Sequence, residues 1–163
     1  MPLKLHHAAY RCRDSRETRR FYEDFLGMRL AGALEINETK TGRATRVLHT
    51  FYELGDGSYL AFFEAPGQPF EFKDQHDFDL HIALEVDAAT LETMLAKAKA
   101  EKREVRGPSD HGFIRSIYFR DPSGYVIELA CKQPAHDRAM DPARNGARAI
   151  LERWSGGETG LTT

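Results

Sequence analysis

The chain has 163 residues, 41% of them hydrophobic and 29% charged, with a formal net charge of −2. This is ordinary globular composition: it excludes general disorder, and the balanced charge excludes the basic footprint of a nucleic-acid binder. No apolar run reaches bilayer length, and MPLKLHHAAYRCRD lacks the apolar stretch of a signal peptide. The expectation is a cytoplasmic protein whose two cysteines, Cys12 and Cys131, stay reduced and carry no metal motif.

In chain order, LKLHHAAYRCR reads as a strand. A helix follows, opened by Asp14-Ser15 with Glu17 placed to complete a cap, and ended at Gly27. Phe21, Tyr22, Phe25 and Leu26 form its apolar face. MRLAGALEI, TRVLHTFYEL and SYLAFFEAP read as strands, the last two joined by a hairpin turn at Gly55-Asp56-Gly57. After the polar connector GQPFEFKDQHD the order restarts. DLHIALEV is a strand, and Asp87 caps a helix with a Leu91, Met94, Leu95, Ala98 stripe. REVRGPSDH leads into the strands FIRSIYFRD and GYVIELACK.

Both halves thus read strand, helix, then two or three strands. LHHAAYRCRD matches LHIALEVD, and FYELGDGSYLAF matches IYFRDPSGYVIE. A repeat of this kind dictates architecture. The expected fold is α+β: two βαβββ modules, residues 1–67 and 78–132, forming one domain over 1–132, with paired curved sheets around a metal-binding cleft. Residues 133–163 form a C-terminal extension with one helix, expected to start at Asp141-Pro142 and to dock Met140, Ile150, Leu151 and Trp154 on the body or on a second subunit.

Strand side chains alternate faces. Leu5, His7, Ala9 and Arg11 share one face, as do Asp79, His81, Ala83 and Glu85, and as do Val126, Glu128 and Ala130. His7 and His81 hold equivalent repeat positions, so pseudo-symmetry is expected to bring them together at the module junction. Glu128 stands inside the apolar strand GYVIEL, where a carboxylate is costly unless paired or bound to a cation. Two imidazoles and one carboxylate would hold a divalent metal and leave positions open for substrate and for oxygen or water. The plainer alternatives are a hydrogen-bonded strand histidine, a Glu128–arginine ion pair, or a one-residue register slip that turns His6 inward instead of His7. His111, in a Ser-Asp-His-Gly loop, is a candidate acid/base, and Tyr118 a candidate donor to an oxyanion. His76 is expected to be exposed, and His49 has no assigned place.

LHHAAYRCRDSRETRRFYEDFLGMRL, LHIALEVD and DPSGYVIEL together resemble the vicinal oxygen chelate superfamily, which includes glyoxalase I, bleomycin-resistance proteins and extradiol ring-cleaving dioxygenases. The likeness runs from about Leu3 to Lys132 and leaves the tail uncovered. It implies a divalent metal held by His7, His81 and Glu128. Glyoxalase-type members add a carboxylate on the last strand of module one; the equivalent position here is Ala61 or Phe62, with Glu64 displaced. His111, Ile117, Tyr118, Asp121, Pro122, Gly124 and Glu128 fit the extradiol dioxygenase signature, with Ser109 departing from it.

The resemblance therefore implies Fe(II)- and O2-dependent cleavage of a catechol-like substrate with adjacent oxygens, by a homodimer. One alternative is a Zn(II)- or Ni(II)-dependent glyoxalase-type lyase or isomerase, with Mn(II) also possible and with water or Glu64 filling the gap. The other is a metal-free drug-binding resistance protein lined by Phe51, Phe62 and Phe63.

Overall fold

The structure, a computed structural model, describes residues 3–74 and 76–155. β1 (His7–Arg11) is followed by α1 (Ser15–Arg19), which runs into a π-helical turn at Arg20–Phe25. β2 (Arg29–Glu38), β3 (Ala44–Glu53) and β4 (Tyr59–Glu64) complete the first module. The second repeats the order with β5 (His81–Glu85), α2 (Ala88–Ala100), β6 (Arg106–Asp110), β7 (Ile114–Arg120) and β8 (Val126–Lys132). Two four-stranded sheets result, ordered β1-β4-β3-β2 and β5-β8-β7-β6. In each, the first strand lies parallel to the last and the other pairings are antiparallel. The α+β fold of two βαβββ modules is what the chain adopts, with neither sheet closed into a barrel.

The local causes are those the sequence suggests, except that the Glu17 side chain pairs with Arg13 instead of completing the cap. Asp14 Oδ1 accepts from the amides of Arg16 (2.8 Å) and Glu17 (2.9 Å), and Asp87 Oδ1 from that of Thr90 (2.7 Å), so each helix starts on a carboxylate cap. The Gly55–Gly57 turn is closed by Leu54 N–H donating to Ser58 O at 2.8 Å. β6 is the strand that sequence pattern hides. Its residues, Arg-Gly-Pro-Ser-Asp, have low strand propensity, and proline is tolerated there because β6 is an edge strand.

One core joins the modules, and it decides which faces stay open. Leu60, Phe62 and Tyr52 on one sheet and Ile117, Phe119, Ile127 and Leu129 on the other point into it. The first helical segment fills the space between. Phe25 meets the Phe119 ring edge-on at 5.2 Å, and Tyr22 donates from its hydroxyl to Asp121 Oδ2 at 3.0 Å. Burial pushes the Asp121 carboxyl above its usual range, opposed by hydrogen bonds from the amides of Tyr125 and Ser123 and from Tyr22. The alternate residues of β1, β3 and β4, including His7, His49, Phe51 and Ala61, and those of β5, β7 and β8, including His81, Tyr118 and Glu128, therefore face away from this shared core.

The tail departs from expectation. Asp141-Pro142 opens only a single turn, in which Asp141 O accepts from the amides of Arg144 and Asn145, both at 2.9 Å. Gly146, at φ +66°, breaks that turn. Besides the short α3 (His136–Ala139), the extension carries α4 (Ala147–Ser155), whose first amide is held by Asn145 Oδ1 at 2.9 Å. Ile150, Leu151 and Trp154 are exposed rather than docked on the body. Among the described residues no helix is long and apolar enough to cross a membrane.

The turn between β7 and β8 needs its glycine. Gly124 has φ +100°, and a Cβ there would lie 2.6 Å from the backbone nitrogen of Lys73, in the connector between modules. We expect Gly124→Ala to lower stability by about 2 kcal/mol or more, read from urea unfolding midpoints; an unchanged midpoint would show that this approach is not constrained.

Candidate active site

On the open face of the second sheet, three adjacent strands bring three side chains together. Ala83 of β5 is the partner of Glu128 on β8, and Tyr118 of β7 is the antiparallel partner of Glu128. His81, two residues before Ala83, is thereby placed beside the carboxylate. Its Nε2 lies 3.3 Å from Glu128 Oε2. The loop after β6 folds back, with the His111 amide donating to Ile114 O at 2.9 Å, and sets His111 Nε2 2.8 Å from the Tyr118 hydroxyl. His81, His111, Tyr118 and Glu128 share a cleft of about 380 Å³ with the apolar side chains of Phe78, Phe113 and Ile114, a volume within the range of small-molecule sites.

Glu128 is 4% exposed. Its Oε1 accepts hydrogen bonds from Ser116 Oγ at 2.5 Å and from the Tyr118 hydroxyl at 3.3 Å. Oε2 is left facing His81. The other nitrogen of His81, Nδ1, lies 2.8 Å from the backbone oxygen of Asp77. A carbonyl only accepts, so Nδ1 carries the proton and the neutral ring has a bare Nε2. Two lone-pair atoms then face each other across 3.3 Å. Such a pair needs a cation between its members, either a second imidazole proton or a metal. A buried carboxylate oriented by hydroxyls, opposite an imidazole whose far nitrogen is fixed by a carbonyl, supplies two donors, with their outer support, of the kind a divalent metal takes. Burial, and next the charge of Glu128, push the Tyr118 hydroxyl above its usual range, so it remains a proton donor at neutral pH.

His7 does not join this pair within one chain. It stands exposed on the first sheet, with Nδ1 2.8 Å from His6 Nδ1, and its ring centroid lies 5.6 Å from Phe51 and 6.3 Å from His49. Among the described residues no three His, Cys, Asp or Glu side chains form a group that could hold a metal ion. The expectation that pseudo-symmetry gathers His7 and His81 at the module junction is thus corrected for the single chain. The modules pack through their helix-covered faces, which leaves both histidine-bearing faces open.

Register settles other positions. Ala9 pairs with Ala61 as Ala83 pairs with Glu128, so Ala61 holds the place of Glu128 in module one. Glu64 lies on the other face and accepts from the Ser15 amide at 2.8 Å, which removes it as a gap-filling ligand. Phe62 is fully buried in the core and cannot line a cleft, whereas Phe51 and Phe63 are on the open face. His76 is exposed. His49, left unplaced by the sequence, lies on the His7 face, stacked on Phe63 at 3.6 Å, with Nδ1 donating to Phe62 O at 3.1 Å and Nε2 left bare. Counting residues back from the Gly55–Gly57 turn would have assigned it that face.

The family model of the Glyoxalase/Bleomycin resistance protein/Dioxygenase superfamily matches residues 4–129. The chain belongs to this superfamily. A glyoxalase/dioxygenase from Nostoc punctiforme is similar at 24% identity, covering 80% of this chain and 91% of its own, with a TM-score of 0.60. A glyoxylase/bleomycin resistance protein/dioxygenase domain from Frankia sp. EAN1pec is 16% identical over 83% of this chain and 96% of its own, with a TM-score of 0.66. The fosfomycin resistance protein FosX from Listeria monocytogenes, complexed with Mn(II) and sulfate, is 18% identical over 84% and 98%, with a TM-score of 0.60. No curated protein matches this chain. At these identities the likeness to solved structures is one of fold.

Glu128→Gln keeps an acceptor for Ser116 and Tyr118 but removes the charge. We expect the metal-free variant to unfold within about 1 kcal/mol of the parent in urea while its Mn(II) affinity falls about 100-fold or more. A large stability loss with unchanged Mn(II) binding would make Glu128 a structural residue.

Proposed function

We propose that the chain is a metal-dependent enzyme of the extradiol type, cleaving a catechol-like ring with Fe(II) and dioxygen. The observation that carries this reading is the hydrogen-bonded line His111–Tyr118–Glu128, ending beside His81 in an apolar cleft. His81 and Glu128 would hold the metal in one chain, and His7 would come from a second copy. Three things support a shared site in a homodimer. The donor set is incomplete among the described residues of one chain, His7 is exposed, and its face repeats the register of the His81 face. When bound, the metal would supply Lewis acidity toward two adjacent substrate oxygens and electron exchange with dioxygen.

The chain's own groups do the rest. Tyr118, on giving up its 3.3 Å hydrogen bond to Glu128 Oε1, would donate to an anionic substrate oxygen. His111 Nε2 and the Tyr118 hydroxyl, 2.8 Å apart, can pass a proton to or from the substrate. Phe113 and Ile114 present apolar walls to an aromatic ring, and the exposed Phe78 offers a further ring to pack against it. The two buried free cysteines accord with a reducing, cytoplasmic setting in which Fe(II) persists.

Ala61 and the engaged Glu64 leave two histidines and one carboxylate, an iron-oxygenase donor set, rather than the four-ligand set of the glyoxalase reading. Anaerobic Fe(II) loading followed by oxygen and a panel of catechols tests the activity. Yellow ring-fission product is expected for at least one of them. Iron-bound protein with no product from any catechol, together with hemithioacetal turnover on Zn(II) or Ni(II), would favour the lyase.

Complementation tests the shared site. His7→Ala and His81→Ala should each be inactive, whereas refolding them together in equal amounts should restore about a quarter of the parent activity, from one intact site in each mixed dimer. No recovery on mixing would place all ligands in one chain.

A further inference from the structure

The contacts around the site close into a ring that includes two residues outside the metal and proton-transfer set. The Asp77 backbone oxygen holds His81 Nδ1 at 2.8 Å. The Asp77 carboxylate is paired with Arg106 Nη2. Arg106, opposite Tyr118 in the β6–β7 register, lays its guanidinium over the Tyr118 ring, 4.8 Å from the centroid. Tyr118 reaches Glu128, which faces His81.

We propose that Asp77 and Arg106 are positioning residues for this site, fixing the His81 tautomer and the Tyr118 ring as one unit; the metal part of this inference rests on the function proposed above. Asp77 ends the connector between the modules, whose described residues lie outside helices and strands and are also linked to the β7–β8 turn, by Lys73 N–H to Ser123 O at 2.8 Å and Arg120 to Lys73 O at 3.2 Å. The ion pair to Arg106 is what ties the His81 end of the connector to the far edge of the sheet. Arg106 is 61% exposed, so the pair contributes little to global stability. Its effect is geometric. It holds the Asp77 carbonyl where only an Nδ1–H imidazole satisfies it, which leaves Nε2 free toward Glu128. The planar guanidinium also limits the tilt of Tyr118 and so directs its hydroxyl toward His111 and Glu128.

Two readouts on the full chain test this. The first is the nitrogen-15 spectrum of His81 in metal-free protein, followed upward in pH until the ring is neutral and its tautomer can be read, with His81→Gln used to assign the signal. The parent is expected to show a single Nδ1–H form. Asp77→Ala keeps the backbone carbonyl, so a change at His81 in that variant reports the position of the connector alone. Asp77→Ala and Arg106→Ala are both expected to give a mixture with the Nε2–H form at unchanged urea midpoints, and Arg106→Lys, which keeps a cation opposite Asp77, to restore the parent signal. The second is Mn(II) titration, in which the alanine variants should bind about tenfold or more weakly. Tautomer shifts without any Mn(II) binding by the parent would leave the positioning role standing and remove the metal reading. A parent ring protonated on Nε2, or alanine variants with the parent tautomer and parent Mn(II) affinity, would overturn the proposal.

Discussion

Nε2 of His81 and Oε2 of Glu128 stand 3.3 Å apart, each with its partner atom already engaged elsewhere. Neither can donate to the other while His81 is neutral. Removing the Glu128 carboxylate from water is expensive, and the hydroxyls of Ser116 and Tyr118 offset only the part of that cost borne by Oε1. What remains is a demand for positive charge at Oε2, in a cleft that also presents Phe78, Phe113 and Ile114. The positions of Asp77, Arg106, Tyr118 and His111 make sense as parts that hold this point in place.

The location of the open cleft follows from how the core is built. The first helical segment lies between the modules and gives Phe25 to the Phe119 ring and the Tyr22 hydroxyl to Asp121. With that side of each sheet covered, the alternate side chains of both sheets lie on the faces turned away from the core, and strand parity puts every candidate imidazole of the strands there: His7 and the buried His49 on one sheet, His81 on the other. Under the proposed function these two faces are two half-sites. One has a carboxylate and an imidazole. The other has two imidazoles and, at Ala61, no carboxylate. The halves differ in what they lack, which is the chemical reason to regard them as complements between copies.

The fold was readable because three independent signals agreed: the repeated order of elements, the aspartate caps at Asp14 and Asp87, and the glycine turn before β4. β6 was harder, since an edge strand of Arg-Gly-Pro-Ser-Asp carries neither alternation nor β-branched residues. Parity assigned His81 and Glu128 each to a face of its own strand, and the β5–β8 and β7–β8 registers are what set His81 and Tyr118 beside Glu128. The separation of His7 did not follow from parity, because parity assigns a face and says nothing of which faces a shared core consumes. Asp77 and Arg106 were invisible for a related reason. Their roles arise from a backbone carbonyl and from a register across β6 and β7 that a bulge between Arg106 and Ser109 displaces. In the tail, a proline at a good first helical position was outweighed by Gly146 a few residues later.

Anomalous diffraction at the manganese absorption edge, from crystals of the full chain grown with Mn(II), addresses the His81–Glu128 pair most directly. The expected result is one peak per chain within bonding distance of His81 Nε2 and Glu128 Oε2, with an imidazole of His7 from a second copy completing the set. Fully occupied crystals with no peak between those two atoms, and Glu128 paired instead with a doubly protonated His81, would contradict it.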